Sequence, residues 1–424
     1  MKPLSINPQV LNVKESATLA INQRVKALRK EGKTIYHFGF GQSPFPVPEI
    51  IQKALQDNSD KKDYLPTQGL PELTAAVSKF YSKEFGYEFT SDFVCIGPGS
   101  KELIFQIVYL LEGPLLIPAP SWVSYGPQAA IRGKKIVPIL TKRENGYRLQ
   151  AEELDEICHR YGEIQKILIF NNPNNPTGGY HTESEIKEIA EICRAYHVIA
   201  ICDEIYSLLN YSGHSHYSIA HYYPEGTIVT GGLSKAFSAG GYRLGIIMIP
   251  PTMDHVLQAL KSLISETFSA VSTPIQYAGL AAYESYEKLR SEIEKCTSIH
   301  QFTGEYLHQR FVNMHLNCPK PEGGFYLFPD FNNYGHSLKA QGIITSAQIA
   351  NTMLQEANVA FLPASDFYLP ATNLGVRVAS VDYDGEKVLN EFPGIENMTP
   401  EATQHLFPNL VKGCDQLETF LKQL

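Results

Sequence analysis

The sequence predicts an α/β protein with a second, smaller α+β part, and three observations carry that prediction. Short apolar runs, Leu115 to Ile117, Lys166 to Phe170 and Val198 to Cys202, alternate with longer stretches of helical periodicity, as buried parallel strands and their crossover helices do. The first two runs end in loops rich in glycine, proline or asparagine and the third in Asp203, and open α/β sheets bind ligands at such strand ends. The chain has 424 residues, more than the roughly 250 to 300 at which one core stops growing, and its pattern changes after the helix-rich stretch Leu280 to Val312.

Composition narrows the function class. Hydrophobic residues make up 43% and charged ones 19%, the balance of an ordinary soluble protein. No apolar run approaches the roughly 18 residues of a membrane span. A net charge of −8 disfavours nucleic acid or an anionic membrane as partner. The N-terminal MKPLSINPQV lacks the apolar core of a signal peptide, and seven cysteines without a CxxC pair read as reduced thiols. A cytoplasmic location is expected.

Residues Met1 to Val13 lack clear periodicity, whereas Ser16 to Lys30, with Leu19, Val25 and Leu28 among charges, reads as a helix. A short strand, Ile35 to Phe38, enters the loop FGFGQSPFPVP, where Gly41 lets backbone approach a ligand or simply serves a turn. Tyr64 stands in the loop before a helix that opens with Pro71 at N1 and repeats Leu73, Val77, Phe80 and Tyr81 on one face. Strand Val94 to Ile96, tight loop Gly97 to Ser100 and helix Glu102 to Leu111 follow. That order suits an anion, because the unpaired N–H groups of a helix start favour phosphate and Gly99 clears the approach.

Leu115 to Ile117 is the next strand, and PAPSWVSYG after it holds the only tryptophan, Trp122, placed to stack a flat ring or to fill core. Ile136 to Ile139 reads as a strand and Leu149 to Arg160 as a solvent-facing helix. The run Lys166 to Phe170 breaks at NNPNNPTGG, a rigid turn whose Asn175 can donate to an anionic oxygen. Thr182 and Glu185 have capping-box spacing before Ile186, Ile189, Ala190 and Cys193, so a crossover helix leads to strand Val198 to Cys202. Asp203 ends that strand and would meet a ligand or a salt-bridge partner. His214 and His216 in GHSHYS read as a polar surface turn without a third metal ligand.

The stretch TIVTGGLSKAFSAGGYRLG, Thr227 to Gly245, sets Lys235 between an apolar run and small residues. An amine in such a place can act as a covalent catalyst toward a carbonyl, and Arg243 can hold a phosphate with two hydrogen bonds. Gly240 and Gly241 are expected to supply the backbone freedom of the turn. The spacing GxxxxGK[ST] of a nucleotide phosphate loop is absent. Strand Ile246 to Ile249 and helix Val256 to Leu263 follow. The second part reads as strand Phe325 to Phe328, helix Ala347 to Ala357, strands Val359 to Leu362 and Gly375 to Ala379, and an amphipathic tail Glu401 to Leu424. Arg377, on a half-buried strand, needs an anionic partner.

Gly232, Ser234, Lys235, Ser238, Gly241, Arg243 and Gly245 resemble, in order, the lysine signature of class I aminotransferases, the fold-type I pyridoxal phosphate enzymes. YxPxxG at Tyr64, PxWxSY at Trp122, NPTG at Asn175, DEIY at Asp203 and GVRxA at Arg377 extend the resemblance from about Tyr36 to Arg377. It implies a mainly parallel seven-stranded sheet in a large domain, 46–295, and a small domain from 1–45 and 296–424.

The resemblance also implies roles. Lys235 would hold pyridoxal 5′-phosphate as a Schiff base, and Asp203 would pair with its pyridine nitrogen. Asn175 and Tyr206 would contact its ring oxygen, and Trp122 would stack on it. Ser100, Lys101, Ser234 and Arg243 would bind its phosphate, joined by Tyr64 of a neighbouring subunit in a homodimer. Gly41, Lys101, Asn175 and Arg377 would face the substrate, with Arg377 on the α-carboxylate and Lys101 on a distal carboxylate. Gly232 departs from the many relatives that carry serine there. The implied reaction moves an amino group from an aspartate-type or aromatic L-amino acid to a 2-oxo acid such as 2-oxoglutarate, by a ping-pong scheme and without a metal. A β-lyase, decarboxylase or synthase on the same fold is an alternative, as is a non-catalytic regulator, which would need a DNA-binding extension before Ser16.

Overall fold

The computed structural model describes residues 4–11 and 13–424. Residues 1–3 and 12, part of the N-terminal stretch read above as aperiodic, lie outside the described residues. Within that stretch Pro8–Leu11 forms a single helical turn, followed by helix Ala17–Lys30.

After β1 (Tyr36–His37), seven strands build the central sheet: β2 (Val94–Gly97), β3 (Leu115–Ala119), β4 (Ile136–Leu140), β5 (Ile167–Asn171), β6 (Ile199–Asp203), β7 (Thr227–Gly232) and β8 (Gly245–Met248). Their spatial order is β2-β8-β7-β6-β5-β3-β4. Only β8 runs against its neighbours, pairing antiparallel with β2 and β7. This is the α/β sheet that the sequence implied, and the apolar runs explain it. Successive residues of β6 serve opposite faces, Ala200 and Cys202 in one core cluster and Ile201 in the other. Leu168 and Phe170 divide from Ile167 and Ile169 in the same way on β5, so both faces need helices over them.

The covering helices follow their sequence signals. Helix Pro71–Phe85 begins with its proline and buries Leu73, Val77, Phe80 and Tyr81. Helix Glu183–Ala195 is capped by the Thr182–Glu185 box and buries Ile186, Ile189, Ala190 and Cys193. Helix Ala151–Tyr161 is less exposed than its sequence suggests, because Leu154, Ile157 and Cys158 are buried. The helix-rich stretch Leu280 to Val312 spans two helices, Thr273–Glu284 and Tyr286–Asn313, with Ser285 ending one and starting the next. No glycine or proline marks that break, so apolar periodicity runs through it.

Beyond that break lie β9 (Tyr326–Leu327), β10 (Val359–Ala360), β11 (Leu362–Pro363) and β12 (Val376–Ala379). The run Val359 to Leu362 splits because β10 pairs with β1 while β11 pairs with β12. Helices Pro400–Leu406 and Pro408–Leu421 close this part with Leu410, Cys414 and Leu417. All seven cysteines are unpaired. No helix among the described residues is long and apolar enough to cross a membrane.

Candidate active site

The parallel strands β3, β5, β6 and β7 end on one side of the sheet, and their polar loops meet there. They enclose a cavity of about 460 Å³. Every residue predicted for the site lines it except Tyr64: Gly41, Ser100, Lys101, Trp122, Asn175, Asp203, Tyr206, Ser234, Lys235, Arg243 and Arg377.

Asp203 forms the floor. Its Oδ2 accepts a hydrogen bond from the Tyr125 hydroxyl at 2.7 Å, while its Oδ1 is buried and has no partner. Asn171, opposite it on β5, donates to the Asp203 carbonyl at 2.7 Å and accepts from the Asn175 N–H at 2.7 Å. Burial pushes the Asp203 carboxyl up to about 6, against the lowering effects of the Tyr125 hydroxyl, the Ile205 backbone N–H and the Lys235 charge. A buried carboxylate oxygen without a donor is costly. The missing partner that would offset this is a cationic N–H on a ligand.

The loop joining β7 to β8 brings Lys235 over that floor. Its Nζ donates to the Gly41 carbonyl at 2.9 Å and sits 5.4 and 5.1 Å from the ring centres of Tyr206 and Phe325. The left-handed residues of the loop are Ser238 (φ 54°) and Arg243 (φ 53°), not Gly240 or Gly241. Ser238 is tied by its Oγ to Ser43 Oγ at 2.7 Å. The glycines that matter sit elsewhere. A Cβ at Gly99, where φ is +90°, would lie 2.3 Å from Arg243 Nη2, and one at Gly245 would lie 2.2 Å from the Ser100 nitrogen. These contacts draw the lysine loop against the helix start. At Gly232 a Cβ would lie 2.6 Å from the Leu244 carbonyl oxygen, so the β7–β8 pairing leaves no space for a serine there.

At the far end, helix Ser100–Leu110 starts after Gly99 without a side-chain cap, leaving first-turn N–H groups for an anion. Arg243 is exposed beside it and donates to the carbonyls of Gly240 (2.9 Å) and Pro98 (3.3 Å). Tyr64 is 96% exposed and takes no part in the cavity of its own chain. The Lys101 ammonium lies 5.5 Å from the Trp122 ring centre, and burial, then Arg243, lowers its pKa. Opposite, Arg377 is 1% exposed; its Nη2 donates to the Gly39 carbonyl at 2.7 Å and its Nη1 to Asn175 Oδ1 at 3.3 Å. Both partners are neutral and Nε has none, and Asp366, the carboxylate that acts on the guanidinium through space, makes no ion pair with it.

The chain matches the family model "Aminotransferase class I and II" over residues 33–385. It belongs to that family. It is 32% identical over 381 residues to the aspartate aminotransferase of Geobacillus stearothermophilus, a match covering 87% of this chain and 93% of that one. A probable aspartate/prephenate aminotransferase of Aquifex aeolicus is 30% identical over 372 residues, 85% of this chain and 91% of that one. Among solved structures, Thermus thermophilus aspartate aminotransferase with maleate superposes with a TM-score of 0.85 at 25% identity, covering 98% of this chain and all of that one. The protein is therefore an aminotransferase, and the family implies pyridoxal phosphate dependence.

Three residues of this aminotransferase's cavity were not legible as site residues. Tyr125 reaches Asp203 across 78 positions of sequence, and only its place in PAPSWVSYG hints at it. Tyr326, in a run read simply as a strand, puts its hydroxyl 3.2 Å from that of Tyr206. Thr18, in the first turn of helix Ala17–Lys30, lines the mouth with a buried, unpaired Oγ1. His216 corrects the surface-turn reading: its side chain is only 3% exposed, and Nε2 lies 3.2 Å from the buried Glu204 carboxylate, whereas His214 is exposed.

Proposed function

We propose that this aminotransferase carries pyridoxal 5′-phosphate on Lys235 and moves the amino group of a dicarboxylic L-amino acid to a 2-oxo acid. The observation behind the reading is the unpartnered Oδ1 of Asp203 facing the same cavity as Lys235 and Arg377. A protonated pyridine nitrogen is the donor that this oxygen lacks, so the floor fits the cofactor. When bound, pyridoxal phosphate supplies an electrophilic carbonyl and a ring that withdraws electrons from the substrate α-carbon.

The chain's own residues divide the remaining work. Asp203, pinned by Tyr125, keeps the pyridine nitrogen protonated, because an adjacent negative charge favours the cation. Tyr206 and Asn175 would donate to the ring oxygen, and Trp122 would pack against the ring. Backbone N–H groups of Ser100 and Lys101, with Ser234, Arg243 and the partner subunit's Tyr64, hold the phosphate in a homodimer. Arg377 clamps the α-carboxylate with a fork that already faces the cavity, and Gly41 lies beside the substrate. Lys235 would hold the cofactor through Nζ and, with that amine free, would take the substrate α-proton on it. The same reading assigns 46–295 to the cofactor domain and 1–45 with 296–424 to the domain carrying Arg377.

Lys101 supports the dicarboxylic preference, since it is the cation at the cavity that neither Lys235 nor the two arginines account for. The structural relative from Thermus thermophilus holds maleate, itself a dicarboxylate. The test is direct. Borohydride should fix the cofactor on the peptide containing Lys235, and aspartate should convert the visible spectrum of the bound cofactor with 2-oxoglutarate restoring it. Labelling at another lysine, or conversion that no 2-oxo acid reverses, would overturn the reading.

A further inference from the structure

Tyr326 stands where three parts of the site meet. It is 2% exposed on β9, and its hydroxyl accepts from the Tyr206 hydroxyl at 3.2 Å and donates to the Gly41 carbonyl at 3.3 Å. That carbonyl is the one holding Lys235 Nζ at 2.9 Å. The ring of Tyr326 lies against the Arg377 guanidinium, with Cζ 4.7 Å from the ring centre. Strand pairing fixes the arrangement, because Tyr326 is in register with Ala379 on the strand that carries Arg377. Gly41 is shaped around it: a Cβ there would lie 2.0 Å from the Tyr326 hydroxyl oxygen and 2.4 Å from two ring carbons.

We propose that Tyr326 is a positioning residue that acts through Tyr206, its hydroxyl turning from the Gly41 carbonyl to hold that phenol on the ring oxygen of the cofactor. The inference rests on the reading that Tyr206 faces that oxygen. When Tyr206 turns its proton to the cofactor, its own oxygen becomes free to accept, and the Tyr326 hydroxyl can rotate to donate to it. A phenol that accepts one hydrogen bond donates a stronger one, so the second tyrosine reinforces the first. The charged and titratable groups facing the Tyr206 hydroxyl are Tyr326, Asp203 and Arg377, with the Lys235 ammonium over its ring. Removal of the Tyr326 hydroxyl leaves Asp203, Arg377 and Lys235 in place. It deletes one donor.

The experiment is a pH titration of the visible absorption of the bound cofactor in wild type, Tyr326→Phe, Tyr206→Phe and the double variant, with melting curves as a check on folding. A donor to the ring oxygen favours its anionic form, so loss of the donor raises the midpoint. Tyr206→Phe should raise it most, and Tyr326→Phe should raise it by roughly 0.3 to 1 unit. The double variant should match Tyr206→Phe, because Tyr326 then has nothing to act through. Gly41→Ala, whose methyl displaces the Tyr326 hydroxyl, should reproduce the smaller shift. An unmoved midpoint in Tyr326→Phe beside a shifted one in Tyr206→Phe overturns this inference alone, as does full additivity in the double variant. No shift in Tyr206→Phe overturns the placement of Tyr206 as well.

Discussion

The two ends of the cavity are built differently. Around Asp203 and Arg377 the side chains are buried and mutually hydrogen-bonded, and what each lacks is one ligand atom of opposite charge. Around Ser100 and Arg243 the groups are more exposed, Arg243 donates to nearby carbonyls, and Tyr64 points to solvent. The floor is finished by one chain folding. On the proposed reading the phosphate end is left for the ligand and a second chain to complete, so substitutions at the two ends should fail in different ways.

At the floor the largest loss should come from Lys235→Ala. Removing the group that on the proposed reading both carries the cofactor and moves the α-proton should cost about 10⁴-fold or more in transamination rate. Borohydride should then label no peptide of the 235 loop, although Asp203 and Arg377 remain in place. Measurable turnover within tenfold of wild type would show that the floor works without its lysine.

Asp203→Asn comes next. Loss of a buried charge partner is worth about 3 to 5 kcal/mol, so the rate should fall roughly 10² to 10⁴-fold with a normal fold. The cofactor-free protein gives a second reading of the same residue. Its carboxyl is raised from 3.8 to about 6 by burial, so between those values the unfolded chain has released a proton that the folded chain keeps. The folded state therefore gains from this group below 3.8 and loses that gain as pH rises through about 6. Thermal melting of the apoprotein should drop across that window, and Asp203→Asn should flatten the drop. An unchanged slope in the variant would place the titration elsewhere.

This contrast also explains what the sequence could carry. Residues of the floor sit at strand ends or rigid turns, so Asp203, Asn175 and Lys235 stand beside apolar runs and asparagine–proline turns that mark their positions. Tyr125 as the partner of Asp203, Tyr326 as the partner of Gly41 and Gly39 as the partner of Arg377 were not legible, because each bond spans tens to hundreds of residues and no local pattern encodes it. The glycines misled for a related reason. Composition suggested that Gly240 and Gly241 provide the turn, but the demand for glycine at Gly99 and Gly245 comes from through-space approach of Arg243 and the Ser100 backbone. Strand edges blurred where pairing partners change, as at Phe361 between β10 and β11.

Lys101 joins the two ends, since its backbone belongs to the phosphate end and its ammonium, desolvated beside Trp122, to the mouth. A charge-assisted hydrogen bond to a distal carboxylate is worth roughly 1.5 to 3 kcal/mol, or about one to two decades. Lys101→Ala should therefore lower kcat/KM for aspartate and glutamate by that much and leave an aromatic amino acid nearly unchanged. Equal losses for both classes would assign the residue wholly to the phosphate end.

The smallest effect, and the one that bears most directly on the contrast, belongs to Tyr64. A single exposed hydroxyl donating to phosphate is worth about 1.4 kcal/mol, so Tyr64→Phe should weaken cofactor binding about tenfold and leave the cofactor-free fold unchanged. If Tyr64 acts across a dimer, the lesion belongs to the neighbour's site. Heterodimers of one Tyr64→Phe subunit and one Lys235→Ala subunit then hold two kinds of site. One combines the wild-type lysine with the wild-type tyrosine of the other chain, and the other combines both lesions. Such heterodimers should bind cofactor at their one intact site with wild-type affinity and regain about half of the wild-type activity. If Tyr64 acted within its own chain, the lysine-bearing site would keep the tenfold weakness, and cofactor titration of the verified heterodimer would reveal it.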